Sequence, residues 1–92
     1  MSKILQDISI GENLQKLRKT KNLTQTELCA KLDLAGRPML QSTYAQIETG
    51  IRNIFVSDLI TIKEILGVEY DEIFENLKPI NKYEIETKEN SK

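Results

Sequence analysis

Ninety-two residues with 39% hydrophobic and 29% charged side chains suit one soluble domain with a single modest core and leave no room for a second. No apolar run nears the roughly 18 residues that span a bilayer, histidine is absent and cysteine occurs once, so membrane spans, Ser-His or Cys-His catalysis, His-Cys metal clusters and internal disulfides drop out. The net charge of −1 conceals an asymmetry: residues 9–55 hold seven bases against four acids and residues 56–92 nine acids against five bases, which lets one face meet a polyanion.

Residues 1–8 read as an N-terminal arm. The Met1 to Ile10 segment carries Lys3 and Asp7 among scattered apolar residues and lacks the apolar stretch of a secretory leader, so a cytoplasmic address is expected. Ser9-Ile10-Gly11-Glu12 has capping-box spacing, and Ile10, Leu14 and Leu17 repeat at i, i+4, i+7; a first helix is predicted from Ser9 to about Lys21. Thr24-Gln25-Thr26-Glu27 repeats the capping pattern and opens a second helix to about Asp33, with Leu28 and Leu32 inward. Cys29 on that helix has no basic neighbour in sequence and reads as a buried, inert thiol. Leu34 to Leu40 contains Gly36 and Pro38 and must be a loop.

Gln41 to Gly50 predicts a third, unusual helix. Leu40, Tyr44 and Ile47 make an apolar stripe, while Ser42, Ala45, Gln46 and Thr49 gather opposite without a single charge. Helix faces that meet only water usually carry Lys and Glu; this one is shaped to be covered by something that takes hydrogen bonds. Gly50 supplies a left-handed C-cap. Phe55, Leu59, Ile62 and Leu66 predict a fourth helix ended by Gly67, and Tyr70, Ile73, Phe74 and Leu77 a fifth, with Asp71 and Glu72 in its first turn where the dipole favours acids. No segment alternates as a sheet does. Lys82 to Lys92 is mostly charged and reads as a frayed tail, Tyr83 and Ile85 giving its one hint of a strand.

The ordered set Arg18, Thr24-Gln25, Leu28, Tyr44, Ile47-Glu48, Gly50 and Arg52 resembles the helix-turn-helix domain of the phage repressor and Cro family, the XRE type, over about Ser9 to Leu77. The resemblance implies an all-α, compact five-helix repressor-like domain at residues 9–77, its helix-turn-helix formed by helices 2 and 3, with residues 78–92 a charged C-terminal tail. It further implies a sequence-specific regulator of transcription, a repressor, whose third helix lies in the major groove of double-stranded DNA. Carried over by position, Gln41, Ser42, Thr43 and Gln46 would face base edges; Gln25, Arg52 and Asn53, with Lys21 and Arg37, would face the sugar-phosphate backbone; and Arg18 and Glu48 would form a structural ion pair tying helix 1 to helix 3. Such regulators act as homodimers on palindromic operators, and no cofactor, metal, membrane or small-molecule ligand is implied. Dimer contacts are sought on Tyr70, Ile73 and Leu77, on the Ile4-Leu5-Ile8 arm and on the tail.

Two features depart from the family pattern. The turn Leu34 to Leu40 is about five residues longer than the commonest form, and Leu40 stands where a Ser or Thr cap is usual. The competing reading is an antitoxin or adaptor, a protein-interaction module that uses the same fold.

Overall fold

Thr24 starts its helix as its spacing predicts. Its hydroxyl accepts the Glu27 N–H at 3.0 Å while the Glu27 carboxylate accepts the Thr24 N–H at 2.9 Å, a complete capping box at the head of α2 (Gln25–Leu34). The Ser9 box expected at the first helix does not form. α1 (Gly11–Thr20) begins one residue later, with Ile10 as its N-cap, so Glu12 misses the N3 position and instead pairs along the exposed face with Lys16 at 3.7 Å. Ser9 Oγ accepts the Gly11 N–H at 2.9 Å, and the Ile10 N–H goes to Gln6 Oε1 at 3.1 Å. Ser9 thus still takes the first N–H of the helix, and Gln6 of the arm takes that of the N-cap residue in place of Glu12.

The computed structural model describes residues 3–81 and 83. Three further helices follow: α3 (Gln41–Glu48), α4 (Val56–Leu66) and α5 (Tyr70–Ile73). The all-α expectation holds with one addition. A two-residue antiparallel ladder, β1 (Lys3–Ile4) on β2 (Ile54–Phe55), pairs Lys3 with Phe55 and Ile4 with Ile54. Phe55 is therefore a strand residue and the N-cap of α4, not the first residue of its stripe. Strands this short leave no alternation to read in the sequence. Of the expected tail, Tyr83 is exposed and outside any strand; Ile85 and nearly all of the segment from Lys82 lie outside the described residues.

Helix ends follow from backbone conformation. α1 closes on Asn22, which takes a left-handed φ of 58° and lets the Leu23 N–H reach back to the Arg18 carbonyl at 3.2 Å. α3 closes in the same way on Gly50, φ 81°, with the Ile51 N–H on the Gln46 carbonyl at 2.9 Å. α5 is far shorter than its apolar pattern implied. Asn76 turns left-handed at φ 62°, and Asn13 of α1 donates to the Ile73 and Glu75 carbonyls at 2.8 and 2.9 Å, ending the helix after one turn. Only Ile73 of the expected stripe is fully buried; Leu77 packs at the edge of the core, while Tyr70, beneath the Lys63 ammonium, and Phe74 stay partly exposed.

The core joins all five helices. Leu14 from α1, Leu28 and Leu32 from α2, Tyr44 and Ile47 from α3, Ile62 and Leu66 from α4 and Ile73 from α5 are fully or almost fully buried, each large aliphatic contributing about 1.5–3 kcal/mol by leaving water. Cys29 sits in this core as a free thiol, and burial pushes its pKa up, which fits the inert role expected of it. Of the glycines, Gly11 is the most closely approached: a Cβ there would lie 2.2 Å from the Glu48 carbonyl oxygen and 2.4 Å from that of Ile47. The start of α1 rests directly on the backbone at the end of α3. Among the described residues no helix is long and apolar enough to cross a membrane.

Candidate nucleic-acid interface

α3 presents its charge-free face outward, as helical geometry required. Tyr44, Ile47 and Glu48 are buried, Gln41, Ser42 and Thr49 are exposed, and Thr43, Ala45 and Gln46 lie between. Leu40 is an extended N-cap with no side-chain cap bond and is 74% exposed. It therefore belongs to the outer surface and not to the inward stripe in which it was expected.

The face is held by a buried brace. Arg18 Nε donates to Glu48 Oε2 at 2.7 Å and Arg18 Nη2 to Oε1 at 3.1 Å, a bidentate pair with both side chains nearly excluded from water. Arg18 Nη1 donates to the Leu23 carbonyl at 2.7 Å, so the same guanidinium fixes the turn into α2. Gln25 Nε2 adds a bond to Glu48 Oε1 at 3.0 Å, and Gln41 Nε2 donates to Gln25 Oε1. The Tyr44 phenol is packed beside this pair without a hydrogen bond of its own, and burial with the Glu48 charge holds its pKa well above the ordinary range.

Burial alone would raise the Glu48 pKa, but the bonds from Arg18 and Gln25 and the Arg18 charge outweigh it and hold the carboxyl below the usual glutamate range. Glu27 is also lowered, first by the Thr24 backbone N–H. A folded value below the unfolded one means stability that is whole above the unfolded glutamate pKa of about 4.3 and is lost as pH falls through the folded value. Urea midpoints measured down a pH series should accordingly hold to about pH 5 and decline below it. In Glu48→Gln that decline should be shallower, with a remainder from Glu27; an unaltered acid limb in the variant would assign it to other carboxylates.

The other candidate residues fall on either side of α3. On one side the end of α1 and the start of α2 form a shallow hollow lined by Lys19, Asn22, Thr24, Gln25 and Gln41. The Gln25 and Thr26 N–H groups belong to the open first turn of α2, which favours an anion. Lys19 borders this hollow, whereas Lys21, the residue expected, does not line it. On the other side the long turn and the segment after α3 enclose a concavity of about 490 Å³ lined by Arg37, Thr43, Arg52, Asn53 and, from the arm, Lys3. Arg52 Nε donates to Gln46 Oε1 at 2.9 Å. The Asn53 side chain accepts the Gln6 N–H at 3.0 Å, and Arg37 pairs with the buried carboxylate of Asp58 at 2.7 Å. Arg37 thus pins the lengthened turn to α4, a structural task that its sequence position did not disclose. Lys3 and Lys19 join the candidate surface only through the fold, each looking like an ordinary solvated lysine in sequence.

A helix-turn-helix family model matches residues 14–73. The control protein C.MunI of a Mycoplasma species is 35% identical over 72 residues, which span 77% of this chain and 90% of that protein. No solved structure matches the chain. With the match covering α2, the turn and α3 together with the helices that brace them, the chain belongs to the XRE-type helix-turn-helix family of DNA-binding transcriptional regulators.

Proposed function

We propose that the protein is a repressor that binds a palindromic operator as a homodimer, laying α3 in the major groove of each half-site. The observation that carries this reading is the uncharged outer face of α3 set between cationic flanks. An α-helix with its side chains is about 10–12 Å across, which fits a major groove roughly 12 Å wide, and the eight residues of α3 make about two turns to lay along it. Gln41, Ser42, Thr43 and Gln46 offer donors and acceptors there. The first turn of α2 and Gln25 on one side, with Lys19 and Lys21, and Arg52, Asn53 and Arg37 on the other, meet the two phosphate strands. With its Nε on Gln46, Arg52 keeps its terminal nitrogens for a phosphate. For the dimer contact we assign the apolar hollow where Ile4, Leu5 and Ile8 of the arm meet Phe74 and Leu77, since Leu5 is 79% exposed. Nothing in the role calls for catalysis.

Selection of bound duplexes from a random pool tests the whole reading. A palindrome is expected, with affinity falling by about 0.9 log unit per log of salt for each phosphate contacted. Gln46→Ala should change the preferred base at one position in each half-site, by about 1–3 kcal/mol. Equal weakening at every site would remove Gln46 from base readout, and absence of any enriched sequence together with co-purification of a protein partner would favour the adaptor role.

A further inference from the structure

The arm does more than lead into α1: it runs antiparallel along the segment that joins α3 to α4. Lys3 pairs with Phe55 and Ile4 with Ile54, and Gln6 then meets Asn53 and Arg52. Three groups of Gln6 are engaged at once. Its backbone N–H donates to Asn53 Oδ1 at 3.0 Å, its Nε2 donates to the Arg52 carbonyl at 3.2 Å, and its Oε1 accepts the Ile10 N–H at 3.1 Å. A backbone N–H only donates and a backbone carbonyl only accepts, so one orientation of the Gln6 amide serves both ends. The same logic fixes Asn53. With Oδ1 taken by a backbone N–H, the end of its amide that remains is Nδ2, a donor. Phosphate oxygens are contacted by donors.

We propose that the arm, through Gln6, positions Arg52 and Asn53 for the DNA backbone: it holds the Arg52 main chain and turns the Asn53 amide so that it donates. The proposal rests on the phosphate-contacting role given above to the segment after α3. Gln6 is in this account a positioning residue, acting through its two neighbours on that segment. Arg52 is held at two points, its carbonyl by Gln6 and its Nε by Gln46 Oε1 at 2.9 Å, which leaves the terminal nitrogens as the part that reaches out. A loop ordered before DNA arrives loses less freedom on binding. The arm therefore adds to affinity for every duplex and leaves the choice of bases to α3.

Gln6→Met tests the clamp, since it keeps the length of the side chain and removes both amide bonds. The bond to the Arg52 carbonyl is exposed, where water can replace it, so the fold should survive. In duplex binding Gln6→Met should weaken every sequence alike, by about tenfold, and lower the salt slope by about 0.9, the share of one phosphate contact. With Arg52→Ala and Asn53→Ala already in place, the same substitution should cost less than about twofold, because the contacts it positions are gone. A general loss of stability would cost as much in either background and leave the slope alone. An unaltered slope, or an equal loss in both backgrounds, overturns the proposal. NMR of the DNA-free protein gives a separate readout: backbone order parameters at Arg52 and Asn53 should lie near the rigid value of about 0.85 in the wild type and fall towards about 0.6 in Gln6→Met. Equal order parameters in both overturn the clamp whatever the DNA result. A loosened segment in Gln6→Met, with no salt-dependent duplex binding by the wild type, upholds the clamp and overturns the phosphate role of Arg52 and Asn53 instead.

Discussion

Glu48→Ala should unfold the protein at a temperature on the order of 15 °C lower than the wild type and abolish DNA binding by the same cause. Truncation removes the carboxylate that takes two bonds from Arg18 and one from Gln25. It leaves the guanidinium buried, with the Leu23 carbonyl as its remaining partner. Breaking one member of a buried pair costs about 3–5 kcal/mol, because the other charge is stranded. A domain of this size holds only about 5–15 kcal/mol in all and loses roughly 4–8 °C per kcal/mol. Thermal melts followed by circular dichroism check the first part and salt-dependent duplex binding the second. A normal melt with lost binding would contradict the account, since Glu48 would then have to act at the interface itself.

The double variant Arg18→Met with Glu48→Leu separates charge from packing. Replacing both members of a buried pair by apolar residues of similar volume is often neutral or stabilising, so most of the lost melting temperature should return. Binding selectivity should not return with it. Gln25 would have no carboxylate to face, so its bond from the start of α2 to the end of α3 would stay lost.

Much of this architecture can be read from local chemistry. The Thr24 box, the left-handed glycine after α3 and the apolar spacing of Leu14, Leu28, Tyr44 and Ile47 each act within a few residues of themselves, and each appears in the structure as the sequence predicts. The outward set on α3 follows from helix geometry in the same way. What escaped is what depends on partners distant in the chain. Ser9 is the local exception: it has the spacing of a cap, yet the nearby Gln6 to Ile10 and Ser9 to Gly11 bonds accompany a helix start one residue later. The α5 stripe looks long enough for two turns, but Asn13, some sixty residues away, claims its carbonyls. Arg37 reads as a free cation until the fold brings Asp58 to it. The Arg18–Glu48 pair was legible only through resemblance to a family, since nothing local distinguishes it from two solvated charges.

Gly11→Ala should be the most damaging small substitution in the chain, lowering stability by about 2 kcal/mol or more and disordering the interface with it. At an ordinary helical position alanine is preferred to glycine by up to about 1 kcal/mol, so a helix-propensity argument predicts a gain. Packing decides otherwise. The added Cβ would stand 2.2 Å from the Glu48 oxygen, 2.4 Å from the Ile47 oxygen and 2.5 Å from the Glu48 carbonyl carbon. All three are backbone atoms at the end of α3, and backbone cannot swing aside as a side chain can. Overpacking a core typically costs 1–3 kcal/mol even where side chains can adjust. Relief here requires α1 and α3 to part, which pulls Glu48 from Arg18 and costs the brace as well. Gly36→Ala supplies the contrast: at φ 85° it strains the backbone, but its Cβ would meet nothing within 4 Å, so its loss should be limited to about 1–2 kcal/mol. Urea unfolding of both variants decides the point. A Gly11→Ala protein as stable as the wild type would mean that α1 can move off α3 at no cost, and that the close approach at Gly11 is not what keeps Arg18 on Glu48.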